Sequence, residues 1–119
     1  MMPLQETRWL EMVYISVNDF LEKVRGIEAL SRSEEVECAK RMKEGDIAAR
    51  ERLIQGYLPF LAGYIRHLPK HRQSLGLVLY CLQALEKAVD HFDFLQDSEP
   101  FSHRLNWYIR QAVTSYIVR

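Results

Sequence analysis

Apolar residues recur along most of the chain with a period of about 3.6 residues, which is typical of helices buried on one side. Strict alternation of apolar and polar residues, the pattern of a half-buried strand, extends nowhere beyond a few positions. Capping signals divide the pattern, because Ser31 with Glu34 forms a capping-box sequence, Gly45 can end that helix and Asp46 can begin the next. The sequence therefore predicts an all-α fold with helices over residues 8–25, 32–44, 47–56, 58–68, 74–92 and 101–118.

The apolar faces of these helices predict a single shared core. Its central members should be Leu53, Ile54, Leu61, Ile65, Leu82, Leu85, Val89, Ile109 and Val113. A chain of 119 residues, 48% of them apolar, suits one domain, and no Gly/Ser-rich linker or repeat divides it. We expect one compact bundle of five or six helices over 1–119, with an N-terminal helical segment over 1–30 and the main core over 31–119.

The last helix departs from the simple amphipathic pattern. Leu105, Ile109 and Val113 form its apolar stripe, whereas Trp107 lies on the opposite side among polar residues, namely Arg104, Arg110, Gln111 and Thr114. A stacking ring, guanidinium groups that bind phosphate, and amide or hydroxyl groups that contact base edges are typical of single-stranded nucleic-acid binding. Packing of Trp107 against a neighbouring helix explains the pattern equally well at this point.

Helix 74–92 has a second anomaly. Leu79 and Tyr80 lie opposite its buried stripe, on a face that also carries Gln83 and Glu86. Two interpretations stay open: a protein interface, or a patch covered by another part of the chain such as helix 8–25.

Composition and net charge limit which binding partners and which cellular location we expect for this protein. The formal net charge is zero, so no overall field attracts nucleic acid or anionic membrane. The two cysteines, Cys38 and Cys81, are too few for a disulfide framework and are interpreted as small core residues in a reducing cytoplasm. No apolar run is long enough to cross a bilayer. We expect a cytoplasmic protein without a membrane role.

No catalytic or metal-binding pattern emerges from the residues. The four histidines are scattered, and although His67 and His71 are suitably spaced on a helix, Pro69 lies between them. Four acidic residues precede the last helix without a partnering base and are interpreted as a solvated acidic loop: Asp90, Asp93, Asp97 and Glu99. The sequence therefore predicts a non-enzymatic protein without catalytic residues, metal or cofactor.

Three segments, in this order, resemble bacterial transcription initiation factors of the sigma-70 family: "ALSRSEEVECAKRMKEGDIAARERLI", "ALEKAVDHFD" and "FSHRLNWYIRQAVTSYI". The resemblance runs from about residue 17 to 119 and covers region two of the family with the short segment before it. It implies a helical domain that binds the clamp helices of the largest subunit of core RNA polymerase. It also implies capture of unpaired bases of the minus-ten promoter element, so partly single-stranded promoter DNA is the second expected partner.

The resemblance assigns DNA-binding roles within the last helix. Trp107 and Tyr108 correspond to the aromatic residues at the upstream edge of the melted DNA, and Arg110 to a basic residue near the backbone. Gln111 and Thr114 correspond to contacts with the upstream base pair of the element. The remaining expected DNA-binding residues are Phe101 and Arg104.

Two departures from the family pattern bear on function. Where the family carries a basic and aromatic loop, this chain has "DFLQDSEP", which should weaken phosphate binding. Where the family has an acidic and amide pattern resembling "DLIQEG", this chain has "GLVLYC" and lacks the carboxylates that would pair with the clamp. The expected polymerase-binding or partner-binding residues are Gly76, Leu79, Tyr80, Gln83 and Glu86.

Two hypotheses follow. One is a sigma factor that binds core polymerase and contacts the minus-ten element, which "WYIRQAVT" favours. The alternative is a degenerate sigma-like adaptor or regulator that binds protein through an apolar helix face, with little or no promoter binding. The acidic loop and the Leu79/Tyr80 face favour this alternative. Self-association through the Leu79/Tyr80 face is also left open.

Overall fold

The computed structural model describes residues 14–118, and this part of the chain is helical. It contains no β-strand, and a short 3₁₀ turn at Lys70–Arg72 precedes its longest internal helix. Its helices are α1 (Val17–Lys23), α2 (Arg32–Lys43), α3 (Ile47–Gly56), α4 (Leu58–Arg66), α5 (Leu75–His91) and α6 (Phe101–Val118). The all-α fold is confirmed for the described residues, and helices α2 to α6 match the predicted bounds to within two residues.

The first predicted helix is confirmed over Val17–Lys23, and the other described residues of its predicted range are not helical. Residues 8–13 lie outside the described range, and α1 begins only after Ser16, which the periodicity had placed within a helix. The Ser16 hydroxyl accepts a hydrogen bond from the Asp19 backbone N–H at 3.0 Å, and the Asp19 carboxylate accepts one from the Ile15 N–H at 3.0 Å. Such local side-chain bonds compete with helical backbone bonds at residues 15 and 16, so α1 begins after Ser16.

The capping signals read from the sequence are present between α1 and α3. Ser31 accepts from the Glu34 backbone N–H at 3.2 Å, while Glu34 Oε1 accepts from the Ser31 N–H at 2.9 Å. Gly45 has a φ of 93°, a conformation that favours glycine, and Asp46 accepts from the Ala49 N–H at 3.2 Å. These bonds satisfy N–H groups that a helix leaves unpaired in its first turn.

The predicted core residues are all buried and belong to one cluster: Leu53, Ile54, Leu61, Ile65, Leu82, Leu85, Val89, Ile109 and Val113. Helix α6 packs along α5, and α2 packs along α3. Because the apolar stripe of α6 faces α5, the opposite side of α6 is directed outward.

An aromatic cluster anchors the segment between α5 and α6. The rings of Phe92 and Phe94 are 4.9 Å apart, and they lie 5.1 and 4.8 Å from the ring of Phe101. Tyr57 adds a fourth ring 4.7 Å from Phe101. The acidic loop, polar in most of its sequence, is therefore held against the start of α6.

Candidate nucleic-acid and partner-binding surfaces

The outer face of α6 carries an exposed aromatic residue among polar ones. Trp107 is 56% exposed, and no described element covers it. The polar residues around it are exposed as well: Arg104, Arg110, Gln111 and Thr114. The interpretation of Trp107 as a residue packed under a neighbouring helix therefore does not hold for the described part of the chain.

An open groove of about 600 Å³ runs beside Trp107. Its lining residues are Glu99, His103, Arg104, Trp107 and Tyr108. The Trp107 and Tyr108 rings meet edge to face, with centroids 5.3 Å apart and an interplanar angle of 87°. Tyr108 is half-buried against the core, so it forms a fixed wall while Trp107 offers an open face. A base can stack on such a platform.

Sequence reasoning missed His103 as a member of this groove and treated it as one of several scattered histidines. It lies one helical turn before Trp107 on the same side of α6. That spacing was the signal that could have identified it.

Arg104 already has an anionic partner within the groove. Its Nε and Nη2 donate to Glu99 Oε2 at 3.2 and 2.9 Å. Glu99 belongs to the acidic loop, and both side chains remain partly exposed, at 45% for Arg104 and 43% for Glu99. The loop therefore contributes a carboxylate to the surface where a phosphate would bind.

Phe101, which was expected to contact DNA, has no open ring face in the structure. Its side chain is only 3% exposed, because the rings of Tyr57, Phe92 and Phe94 surround it. A ring without an open face cannot stack on a base. Phe101 instead anchors the first turn of α6 and so positions the residues that follow.

Arg110, on the outer face of α6, is close enough to Tyr64 of α4 to influence its hydroxyl group. Burial raises the pKa of the Tyr64 hydroxyl above its usual value, and the nearby Arg110 guanidinium partly opposes that rise. Arg110 stays exposed, so its charge remains accessible from solvent.

The expected open apolar patch on α5 is not present. Leu79 packs against the core, and both Leu79 and Tyr80 are half-buried. The Tyr80 ring lies against Tyr116 of α6, with centroids 5.0 Å apart and an interplanar angle of 73°. Of the other expected partner-binding residues, Gln83 is exposed, whereas Gly76 and Glu86 are half-buried.

Gly76 provides the space that Tyr116 occupies. A Cβ at position 76 would lie 2.6 Å from the Tyr116 hydroxyl oxygen. The same hydroxyl is 3.1 Å from Ser74 Oγ. A carboxylate at position 76, as in the family pattern, would require the Tyr116 ring to move.

The carboxylates before α6 lie at the surface, as expected for a solvated acidic segment, and several of them also bind neighbouring groups. Asp90 binds Arg50 of α3 through two hydrogen bonds of 2.7 and 2.9 Å. Asp93 lies 3.8 Å from the Lys43 ammonium of α2, and the Asp97 carboxylate accepts from the Asp93 N–H at 3.1 Å. Within residues 14–118 no group of three or more metal-ligating side chains could hold a metal ion.

Both cysteines contribute to the core of the described residues. Cys81 is buried, and burial raises the pKa of its thiol to about 12, which confirms it as a core residue. Cys38 is half-buried and packs against the same core.

None of the described helices is both long enough and apolar enough to cross a membrane.

Known proteins similar to this chain are RNA polymerase sigma factors. The chain is 32% identical over 108 residues to SigA of Listeria monocytogenes and to SigA of Listeria innocua. It is 33% identical over 102 residues to SigA of Clostridium acetobutylicum. The matches cover 87% of this chain for the Listeria proteins and 85% for the Clostridium protein. No protein-family model matches the chain.

The helical fold and this similarity define the class of protein. The chain belongs to the family of bacterial RNA polymerase sigma factors, which confirms the resemblance read from its sequence. It spans less than a third of the length of the curated relatives that it matches, 29% of the Listeria proteins and 27% of the Clostridium protein.

Proposed function

We propose that this chain acts in transcription initiation as a sigma region-two domain that binds core RNA polymerase and contacts the minus-ten promoter element through α6. The observation that carries the proposal is the exposure of Trp107 among Arg104, Arg110, Gln111 and Thr114, next to an aromatic groove. The relatives are named as RNA polymerase sigma factors, which supports polymerase as the partner and the cytoplasm as the location.

The exposed residues of α6 suit a short stretch of melted DNA. Trp107 and Tyr108 offer an aromatic platform to a base at the edge of the duplex. Arg110 supplies a cation for phosphate, while Gln111 and Thr114 supply hydrogen-bonding groups for a base edge or the backbone.

The length of this face limits how much DNA it can contact. The distance from Trp107 to Thr114 along the helix axis is about 10 Å, which matches about three nucleotide steps. A contact of this size supports modest affinity, so core polymerase must position the DNA.

The expected polymerase-binding surface is the solvent side of α5. Of the five residues expected to form it, Gln83 is exposed, and Glu86 lies one turn further along the helix and is half-buried. The clamp helices of the largest polymerase subunit are the expected partner. The adaptor hypothesis was favoured by the expectation of an open apolar patch on α5. Leu79 and Tyr80 do not form such a patch, so α5 no longer supports that hypothesis.

The proposal is tested by binding to a short T/A-rich single-stranded DNA labelled with a fluorophore, in low salt, with and without bacterial core polymerase. Trp107→Ala should weaken binding by about 1–3 kcal/mol, the range for one stacked base. Fluorescence anisotropy of the labelled strand gives the affinities, and quenching of Trp107 in a Trp9→Phe parent reports stacking directly. A pull-down with the chain as bait tests the association with core polymerase.

Ile117→Ala is the matched control for Trp107→Ala. Ile117 is 44% exposed on the same helix, so its removal also deletes exposed apolar surface but no aromatic face. It should leave strand binding unchanged. Equal binding by Trp107→Ala and its parent would disprove a DNA contact at this face.

A further inference from the structure

The arginine nearest to Trp107 in the groove has its phosphate-binding edge occupied. Nε and Nη2 form one edge of the guanidinium, and this edge is the one that binds a phosphate or carboxylate in a forked manner. In Arg104 both atoms donate to a single oxygen, Oε2 of Glu99. A phosphate approaching Arg104 along this edge meets the carboxylate first.

The acidic loop holds Glu99 in this position. Phe92 and Phe94 anchor the start of the loop in the aromatic cluster with Phe101. Within the loop, the Asp93 carboxylate accepts from the N–H groups of Leu95 and Gln96 at 3.0 and 3.1 Å. Because the loop is already ordered, the ion pair forms with a smaller loss of conformational entropy than one made by a free segment.

We propose that Glu99 is an internal competitor for phosphate, which lowers the affinity of the α6 face for single-stranded DNA by occupying Arg104. The inference rests on the proposed function of this face and adds an element that regulates it. A strand that binds Arg104 must displace Glu99, and the displaced carboxylate then remains beside the phosphate. Of the two arginines in the described part of α6, only Arg110 is then accessible without breaking an ion pair.

The competition predicts a specific salt dependence. An arginine that neutralises one phosphate of a single strand releases counterions and contributes about 0.7 to the slope of log affinity against log salt. Exchange of Glu99 for phosphate on Arg104 yields no such net release, because the freed carboxylate attracts a cation in turn. Arg104 should therefore contribute little to the slope as long as Glu99 is present.

Glu99→Gln tests the inference, with the same labelled T/A-rich strand as the probe. The variant keeps the size of the side chain and removes its charge. Affinity should rise by more than about twofold and up to about fivefold in low salt, the upper part of the range for release of one exposed ion pair. The slope against salt should steepen by about 0.7.

Asp97→Asn is the matched control. It removes the same charge from the same loop, and an asparagine oxygen can still accept from the Asp93 N–H. Since the Asp97 carboxylate bonds to the Asp93 N–H while Arg104 pairs with Glu99, and separated exposed charges are screened, affinity should change by less than about twofold. In an Arg104→Gln background, Glu99→Gln should have no larger effect than Asp97→Asn has in the original chain. Circular dichroism melting checks that each variant is folded.

The outcomes separate the inference from the function on which it rests. If the original chain binds the strand in a Trp107-dependent manner and Glu99→Gln changes neither affinity nor slope, the competition is disproved while the function stands. Equal effects of Glu99→Gln and Asp97→Asn would also disprove it, because the loop would then act only through its total charge. If no variant binds the strand, with or without core polymerase, both the proposed function and the inference fail.

Discussion

Tyr116 of α6 covers part of the surface of a different helix, α5. Its ring lies over the first turn of α5, against Tyr80 and within 3.1 Å of Ser74 Oγ. The absence of a side chain at Gly76 makes this approach possible, since a Cβ there would lie 2.6 Å from the Tyr116 hydroxyl oxygen. Two positions far apart in the sequence therefore depend on each other.

This dependence predicts a non-additive effect of Gly76→Ala. Alanine favours a helix over glycine by about 1 kcal/mol at interior positions, and by less near an end. In the original chain the methyl group must displace Tyr116, so Gly76→Ala should not increase the free energy of unfolding. In a Tyr116→Ala background, Gly76→Ala should increase the free energy of unfolding. The coupling energy between the two positions should exceed about 0.5 kcal/mol. Urea unfolding of the four proteins measures it.

Gly63→Ala is the control for that cycle. Gly63 lies within α4, and a Cβ there would meet no atom within 4 Å. It should stabilise the protein to the same extent with and without Tyr116. Additive effects of Gly76→Ala and Tyr116→Ala would contradict the packing described here.

Helix starts are the elements of this protein that local sequence determines best. In four helices a side-chain oxygen before the first turn accepts from the backbone N–H three residues later, at distances of 3.0 to 3.2 Å. The capping residues are Ser16, Ser31, Asp46 and Ser74. Because donor and acceptor are only three residues apart, no distant part of the chain is needed to form these bonds.

The capping box of α2 gives a prediction at this scale. Ser31→Ala should lower the free energy of unfolding by about 1 kcal/mol, the usual cost of losing a helix cap. Ser115→Ala, at an exposed serine within α6, is the control and should change it by less than about 0.5 kcal/mol. Urea unfolding at neutral pH measures both, and equal losses would show that the cap contributes nothing specific.

The same capping box should be sensitive to acid. Hydrogen bonds from the Ser31 backbone N–H, and then from its hydroxyl, hold the pKa of Glu34 below its usual value. A carboxylate whose pKa is lower in the folded state stabilises that state above its unfolded pKa, and this stabilisation is lost as the pH falls through the folded pKa. The difference between the original chain and Ser31→Ala should therefore shrink in acid.

At the scale of the whole molecule, one core connects the two candidate surfaces. The stripe of α6 and the inner side of α5 belong to the same buried cluster, and the Arg50–Asp90 ion pair links α3 to α5. The outer face of α6 is thus supported from behind by residues that never reach the surface. A change in the core should disturb the proposed DNA-binding face and the proposed polymerase-binding face together.

Leu85→Ala tests the shared core. Leu85 is fully buried in α5, so its truncation should lower the free energy of unfolding by about 2–5 kcal/mol. Such a loss is large compared with the roughly 5–15 kcal/mol that stabilises a typical domain. Leu95→Ala, at a partly exposed apolar residue of the acidic loop, is the control and should cost much less. Comparable urea midpoints for the two variants would contradict a core centred on α5.

The inward positions of Leu85 and Ile109 could be predicted from the sequence, and so could the placement of Trp107 opposite the apolar stripe of α6, whereas its exposure is a finding of the structure. Side chains on one helix have directions set by the helical repeat, so periodicity alone separates the two faces. The burial of Phe101 could not be predicted in this way, because the rings that cover it come from Tyr57, Phe92 and Phe94. The half-burial of Tyr80 could not be predicted either, because the ring that lies against it belongs to Tyr116 of another helix.

The sequence by itself determined helices α2 to α6, the caps at Ser31 and Asp46, the central core residues, the polar side of α6 and the sigma-factor family. These features depend on the helical repeat, on bonds between near neighbours, or on motifs that can be matched along the chain. Only the tertiary structure decided that Tyr116 fills the space above Gly76, that Asp90 binds Arg50, and that Glu99 occupies Arg104 in the groove. The first two join residues far apart along the chain, and the third depends on how the anchored loop turns back toward α6. In each case the three-dimensional path of the backbone decides which side chains meet.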